Sequence, residues 1–259
     1  MRYRLAEILR YRDLSWNLVA RDLKVRYRHS VLGFCWSLIN PLLMTVVFFL
    51  VFKVLLRNPM ENFPVFILCG ILPWNWCSSS LMGAVNSIVG NAHLIKKVYF
   101  PRELLPASVV LSNMMNFLLA LPVVFLTMVV FHSPFTWLIL FLPLLVAIQL
   151  LFMLGLAFFL SSVNVFFRDT EVILEVALLA WFFLTPVFYR IEDLTAQWSR
   201  VMYIVNPMAS IISNYRLILY EGSAPAGDFL LRTAVTSVIV LILGYLVFAR
   251  VSHAFGEEV

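Results

Sequence analysis

Hydrophobic residues along this chain fall into six long runs that are separated by short polar stretches. The runs cover roughly residues 31–56, 63–89, 104–131, 137–165, 172–189 and 229–249. A helix needs about 20 apolar residues to cross the hydrocarbon core of a bilayer. The pattern therefore predicts an all-α integral membrane protein with six transmembrane helices.

The composition narrows the possible functions. Hydrophobic residues make up 62 % of the 259 residues and charged residues only 13 %, whereas soluble domains are about 25 % charged. We expect a cytoplasmic N-terminal segment over residues 1–30 and one transmembrane domain over residues 31–259. The sequence contains no P-loop, GxSxG or HExxH motif. We therefore predict that the chain is not an enzyme by itself and binds no cofactor or metal.

The distribution of basic residues predicts the orientation in the membrane. The first 30 residues carry eight cations, namely Arg2, Arg4, Arg10, Arg12, Arg21, Lys24, Arg26 and Arg28. Short segments rich in Lys and Arg stay on the cytoplasmic side. With six spans, both termini and the loop over residues 91–103 are then cytoplasmic. Because the cations border the membrane, we expect no nucleic-acid partner.

Two pieces outside the spans have helical patterns of their own. Asp13–Arg28 predicts an amphipathic helix on the membrane surface, with an apolar face of Trp16, Val19, Ala20, Leu23 and Tyr27. This helix either only anchors the chain or also receives a partner. After the fifth span, two short helices are predicted around Asn206-Pro207, which supplies an N-cap and a first-turn proline. They form either a re-entrant hairpin at the outer face or two helices that lie flat there.

Two interruptions of the apolar runs bear on function. Proline removes a backbone hydrogen bond from a helix, so Pro73 is expected to divide the second span into two shorter pieces. Glu175 lies one turn into the fifth span. An acid within a membrane helix is a functional candidate, and we predict Glu175 as a gating or intramembrane acid.

Four segments carry a resemblance to a known family. They read RDLKVRYRHSVLGFCWSLINP over residues 21–41, LIKKVYFPRELLP over 94–106, NVFFRD over 164–169 and YIVNP over 203–207. The chain resembles the ABC-2 type permeases that export polysaccharides. The resemblance lies in these motifs, in their order along the chain and in the six predicted spans. That group includes the O-antigen, capsule and teichoic-acid exporters.

The resemblance implies an assembly and a substrate. Such permeases work as homodimers with two copies of a separate ABC ATPase, which binds ATP and Mg²⁺. They translocate a polyprenyl-linked glycan across the bacterial cytoplasmic (inner) membrane, among membrane lipids. The N-terminal amphipathic helix would be the interface helix, a coupling helix would lie between spans two and three, and the short helices between spans five and six would be re-entrant.

The resemblance also implies site residues. The contacts with the ATPase, in the interface helix and the coupling loop, would be Trp16, Leu23, Lys96, Lys97, Tyr99, Phe100, Pro101, Arg102 and Glu103. Aromatic rings can line a path along which a neutral glycan slides, or form a belt at the membrane interface, and the candidates are Trp74, Trp76, Trp181, Phe182, Phe183 and Tyr189. A lipid pyrophosphate needs cations at the cytoplasmic mouth. Arg26, Arg28 and Arg168 are in suitable positions for this, or they serve only as topology signals or lipid-headgroup contacts.

Three other functions remain open at this level. An ABC-2 permease for a small molecule such as a drug shares the architecture. An ion-coupled secondary transporter would need an array of buried ionisable groups, which the runs lack. A membrane-embedded enzyme acting on polyprenyl-linked sugars would depend on Glu175.

Overall fold

The computed structural model describes residues 11–27, 33–55, 57, 60–191, 195–225 and 227–259. All regular elements in these residues are helical, so the predicted all-α class is confirmed. The α-helices are α1 (Arg12–Tyr27), α2 (Trp36–Phe48), α3 (Phe63–Val85), α4 (Ala92–Lys97), α5 (Leu104–Val130), α6 (Leu142–Phe166), α7 (Thr170–Leu184), α8 (Ala196–Val205), α9 (Pro207–Leu219), α10 (Gly227–Val251) and α11 (Phe255–Glu258).

Five helical stretches in the described residues are long and apolar enough to cross a membrane. They are Trp36–Leu55, Phe63–Val85, Leu104–Val130, Trp137–Phe166 and Gly227–Glu258. The predicted fifth span, over residues 172–189, is a helix of only 15 residues, α7. At 1.5 Å per residue this helix is about 22 Å long, which is less than the roughly 30 Å of a bilayer core. The chain turns at Thr185-Pro186, because proline cannot continue the helix.

The first long stretch is unusual in geometry and exposure. Helix α2 continues directly into a π-helical segment, Phe49–Leu55. Most large apolar side chains of the whole stretch are exposed, including Leu43, Val46 and Leu55. Such a surface suits lipid or another apolar partner rather than water.

Helix α3 is the central element of the molecule. It packs against α2, α5, α6, α7 and α9, and most of its residues are buried. The prediction that Pro73 divides this span is wrong, since the helix is continuous from Phe63 to Val85. Proline lacks an N–H and therefore frees the carbonyl oxygen of Cys69, four residues earlier, without ending the helix here. Gln149 Nε2 of α6 donates to the carbonyl oxygen of Pro73 itself at 2.8 Å, which fixes α6 against α3 at this point.

Helices α6 and α10 pack along each other at backbone contact. A Cβ atom added to Gly155 would lie 2.5 Å from the Val240 carbonyl oxygen, and one added to Gly244 would clash with the Gly155 carbonyl oxygen. Small residues at crossing points allow such close approach, which is a common way to join helices in membranes.

The connections gather at two opposite ends of the bundle. At one end, Leu18 of α1, Ile95 of α4, Val165 of α6, Phe248 of α10 and Phe255 of α11 share an apolar cluster. At the other end, the Tyr220 hydroxyl donates to the Glu61 carbonyl oxygen at 2.8 Å, and Gly222 packs against Pro134. We call these the α4 end and the α9 end.

Candidate functional site

The α4 end carries an exposed tip that matches the predicted coupling loop. Helix α4 ends at Lys97 and the next residues are extended. Lys96 and Lys97 are exposed, and the Tyr99 side chain is 84 % exposed. Beneath this tip, the buried Ile95 holds α4 to the bundle. The tip thus presents one aromatic ring and two cations on a fixed base.

Not every residue predicted for this surface is accessible. Phe100 is 7 % and Glu103 is 6 % exposed, so neither offers its side chain to a partner in this conformation. Phe100 belongs to the apolar cluster of the α4 end, and Pro101 and Arg102 are half-buried. Adjacent side chains in an extended stretch point to opposite sides, so only one of the two rings can face the bundle. The sequence alone did not show which one.

The C-terminal segment ties this loop to the rest of the bundle. An Arg102 guanidinium nitrogen donates to the Ser252 carbonyl oxygen, and Arg168 Nη2 donates to the Glu258 carbonyl oxygen at 3.3 Å. Phe255 is fully buried, with its ring 5.3 Å from that of Phe248. Arg168, predicted for a lipid pyrophosphate, thus lies exposed at the α4 end. The Arg26 side chain and Arg28 lie outside the described residues.

The buried face of α1 differs from the predicted one. Leu18 and Val19 are buried, whereas Trp16 is 64 % exposed and Leu23 is half-buried. Leu14 and Leu18, four residues apart, direct the helix into the cluster at the α4 end. The apolar face predicted from the sequence therefore combined a residue that is buried, Val19, with one that is exposed, Trp16.

The predicted channel aromatics separate into two groups. Trp74 meets Trp181 edge-on at 5.6 Å and Phe182 at 5.5 Å between ring centroids. Phe183, next to Phe182, is 67 % exposed, and the Tyr189 hydroxyl donates to its carbonyl oxygen at 3.4 Å.

Trp76 does not belong to this group. It stacks on Phe117 at 5.0 Å and donates from Nε1 to the Val110 carbonyl oxygen at 3.3 Å. Because it is only 2 % exposed, its ring is committed to packing between α3 and α5. The role of Trp76 as a channel residue stays a prediction, because the mostly buried ring also lines a cavity between α2, α3 and α5.

Glu175 lies at a groove between α3 and α7. The groove has a volume of about 480 Å³ and is lined mainly by apolar side chains, with Trp74 and Phe182 on its walls. The Glu175 side chain is exposed on α7. An exposed carboxylate beside an apolar groove can face a second polypeptide or a water-filled path.

Asn206 joins α7 to the start of α9. As predicted, it caps α9, because its Oδ1 accepts from the Met208 and Ala209 backbone nitrogens. It also accepts from Trp181 Nε1 at 2.9 Å and donates from Nδ2 to Thr185 Oγ1 at 2.9 Å. One side chain therefore fixes the end of α7 against the start of α9.

A polar cavity that the sequence did not predict opens on the surface of the chain, where Asn40 and Ser79 are exposed. Its volume is about 320 Å³, and it lies between α2, α3 and α5. Its polar lining comes from Ser37, Asn40, Asn75, Ser79, Asn113 and Asn116. The available signal was the recurrence of asparagine within three apolar runs.

Together these features define a multi-pass membrane protein built from helices. The chain belongs to the ABC-2 type transporter family, which matches residues 14–220. The resemblance drawn from the four sequence segments is thereby confirmed. Members of this family work with an ABC ATPase partner.

Three relatives indicate how far the similarity extends. The chain is 39 % identical to the O-antigen export system permease protein RfbA of Myxococcus xanthus over 254 residues, covering 98 % of both chains. It is 31 % identical to RfbA of Klebsiella pneumoniae over 99 % of its length and 98 % of the relative. It is 22 % identical to the polysialic acid transport protein KpsM of Escherichia coli over 88 % and 89 % of the two chains. These names agree with the prediction of a transport subunit rather than an enzyme.

Proposed function

We propose that this chain is the permease subunit of an ATP-driven exporter that moves a polyprenyl-linked polysaccharide across the bacterial inner membrane. The observation that carries the proposal is its similarity, over nearly its whole length, to proteins named as O-antigen export permeases. ATP and Mg²⁺ would bind to a separate ATPase subunit. A permease for a small molecule would belong to the same family, but the relatives described above are named for O-antigen export and polysialic acid transport.

The exposed tip at the α4 end is the coupling site in this proposal. Tyr99, Lys96 and Lys97 project from a base that Ile95 and Phe100 hold in the apolar cluster. A movement of the ATPase would therefore pass to α5 and α6 through rigid packing rather than through a loose loop. Helix α1 packs on α5 at the same end, which supports its role as the interface helix.

Six crossings remain part of the proposal. Arg168, just before α7, contacts the C-terminal segment at the α4 end, whereas Thr185, just after it, bonds to Asn206 at the start of α9. Beyond Thr185, the Tyr189 carbonyl oxygen accepts from Arg216 in the last turn of α9, so α7 and the residues after it run from the α4 end towards the α9 end, which supports a sixth crossing. The N-terminus, the tip and the C-terminus would then face the cytoplasm, and α8 and α9 would form the re-entrant pair at the outer face.

Exposed apolar faces support a homodimer, to which two ATPase copies would bind. Helix α7 exposes Val172, Val176 and Leu179, and α2 exposes Leu43 and Val46. A second copy packed on these faces would enclose the groove beside Glu175 and the aromatic cluster of Trp74 and Phe182. That arrangement would supply a path between the two copies.

The function is tested by removing the gene for this chain from a strain that makes a surface polysaccharide. We expect the polysaccharide to disappear from the surface and its lipid-linked form to accumulate inside. A tagged permease purified in mild detergent should bring down a P-loop ATPase. Unchanged surface polysaccharide, with export that instead collapses with the ion gradient, would contradict the proposal and favour an ion-coupled carrier.

The coupling role of the tip is tested by Tyr99→Ala. We expect the ATPase to remain bound but export to fall by about tenfold, because the ring is accessible and contributes contact rather than stability. The measurement compares surface polysaccharide with ATPase activity of the purified complex. Phe135→Ala, which removes another exposed ring at the α9 end, is the matched control, and equal loss in both variants would contradict the assignment.

A further inference from the structure

We propose that the polar cavity between α2, α3 and α5 binds a neutral sugar unit of the glycan during its passage. This inference rests on the proposed function and adds a site to it. The cavity lies among three candidate spans and is open at Asn40 and Ser79, which are exposed. Asn75 lies ten residues before the end of α3 at Val85, about 15 Å along the helix.

The convergence of amides is the first argument. Asn40 comes from α2, Asn75 from α3, and Asn113 and Asn116 from α5. An amide within an apolar region costs free energy unless it has polar neighbours. Three separate helices thus place carboxamides around one space. Asn75 also donates to Met44 Sδ and Asn113 to the Val109 carbonyl oxygen, and because a carboxamide has several donor and acceptor sites, such bonds are compatible with a polar occupant of that space.

The neutrality of the lining identifies the class of occupant. Among the residues that the structure describes, no side chain that lines the cavity is ionisable. A phosphate or pyrophosphate group would require cations or several aligned donors. Carboxamides and hydroxyls both donate and accept hydrogen bonds, which matches the hydroxyl groups of a neutral sugar. The cavity therefore fits the polymer rather than its charged lipid anchor.

An aromatic wall completes the match. Trp36 lines the cavity beside Asn40, and its side chain is 42 % exposed, so part of the indole remains accessible. The face of an aromatic ring is negative and attracts the C–H groups on one side of a sugar ring. At about 320 Å³, the cavity is at the small end of the range for small-molecule sites, about 300–1,000 Å³. It would hold a short unit of a polymer at a time.

The first test removes the amides without changing the volume greatly. We expect Asn40→Leu and Asn75→Leu each to lower the export rate about fivefold, because each loses hydrogen bonds worth about 1 kcal/mol. Asn75→Gln should retain more export than Asn75→Leu. Gln197→Leu, at an exposed carboxamide of α8, is the control. Normal export in both asparagine variants would overturn the proposal.

A second test does not depend on how well those variants fold. The photoreactive residue p-benzoylphenylalanine replaces Ser79, on the cavity wall, or Leu126, exposed elsewhere on α5. Cells make the glycan from a ¹⁴C-labelled sugar, and the permease is isolated under denaturing conditions after irradiation. We expect the label on the protein at position 79 and not at position 126.

The outcomes separate this proposal from the function itself. Exporting cells with no label at position 79, or with a phospholipid adduct there instead, would overturn the cavity assignment but not the exporter. If the bulky residue at position 79 itself blocks export, the asparagine variants decide. If deletion of the wild-type gene leaves export unchanged, the proposed function fails and the cavity proposal fails with it.

Discussion

Arg216 shows how a single buried cation can organise the end of a membrane bundle. It lies on α9 with a 5 % exposed side chain. Its guanidinium donates to the carbonyl oxygens of Pro186 and Val187 at 2.6 Å and of Tyr189 at 3.0 Å. It also lies 3.6 Å from the centroid of the Phe66 ring. The residue thus supplies donors to the turn that ends α7.

Replacement of this residue should destabilise the α9 end. We expect Arg216→Met to lower the free energy of unfolding by about 3 kcal/mol, because it leaves buried carbonyls without donors. Arg216→Lys should recover only part of the loss, since one ammonium lacks the planar fork of the guanidinium. The check is the thermal midpoint of the purified protein in detergent. Arg190→Met, at a half-buried arginine that donates to Tyr220, should have a smaller effect, and the reverse order would contradict this account.

At the scale of elements, the contact between α6 and α10 sets the spacing of the bundle. Gly155 and Gly244 face each other with no room for a Cβ atom on either side. Because atoms of the backbone, rather than flexible side chains, occupy that space, the helices would have to move apart to accept a larger residue.

A methyl group at this contact should therefore be costly. We expect Gly244→Ala to destabilise the protein by about 1–3 kcal/mol, the usual cost of overpacking, despite the better helix propensity of alanine. Gly227→Ala is the control, because nothing lies within 4 Å of a Cβ atom added there. Both proteins are compared by thermal unfolding in detergent. Equal midpoints would show that the helices separate more easily than their packing indicates.

Elements were easier to predict from the sequence than faces. Five of the six predicted spans are helices long and apolar enough to cross a membrane, whereas the predicted fifth span is the shorter α7. The Asn206-Pro207 cap follows from local chemistry and is confirmed. The packing of Phe100 and Trp76 inside the molecule could not be predicted. In an apolar chain, the residues that face lipid and those that face protein have the same composition, and only tertiary contacts distinguish them. The polar cavity was missed for a second reason: its asparagines come from three helices that are far apart along the chain.

At the scale of the whole molecule, the α4 end connects distant parts of the chain. Residues from α1, α4, α6 and α10 meet the C-terminal helix α11 in one cluster. Arg102 and Arg168 add hydrogen bonds to the backbone of residues 252 and 258. The last residues of the chain therefore brace the tip that we assign to coupling.

Loss of the buried ring of α11 should release this brace. We expect Phe255→Ala to increase amide hydrogen exchange in residues 252–259 and in α4, because Phe→Ala in a core costs about 3–5 kcal/mol and local opening follows local stability. Exchange in the middle of α3 should not change. Glu257→Ala, at an exposed position of the same helix, should leave exchange as in the wild type. Protection that persists in α4 after Phe255→Ala would show that α11 is not a brace.

The uncharged lining of the cavity between α2, α3 and α5 has an energetic consequence for the cell. An elementary charge that crosses a membrane gains or loses about 2.3 kcal/mol per 100 mV of potential. A neutral sugar held by asparagine, serine and tryptophan side chains moves no charge, so the membrane voltage neither assists nor opposes that step. Ionic strength has nothing to screen there either. Each sugar unit would therefore pass this site at the same cost in an energised cell and in a de-energised one.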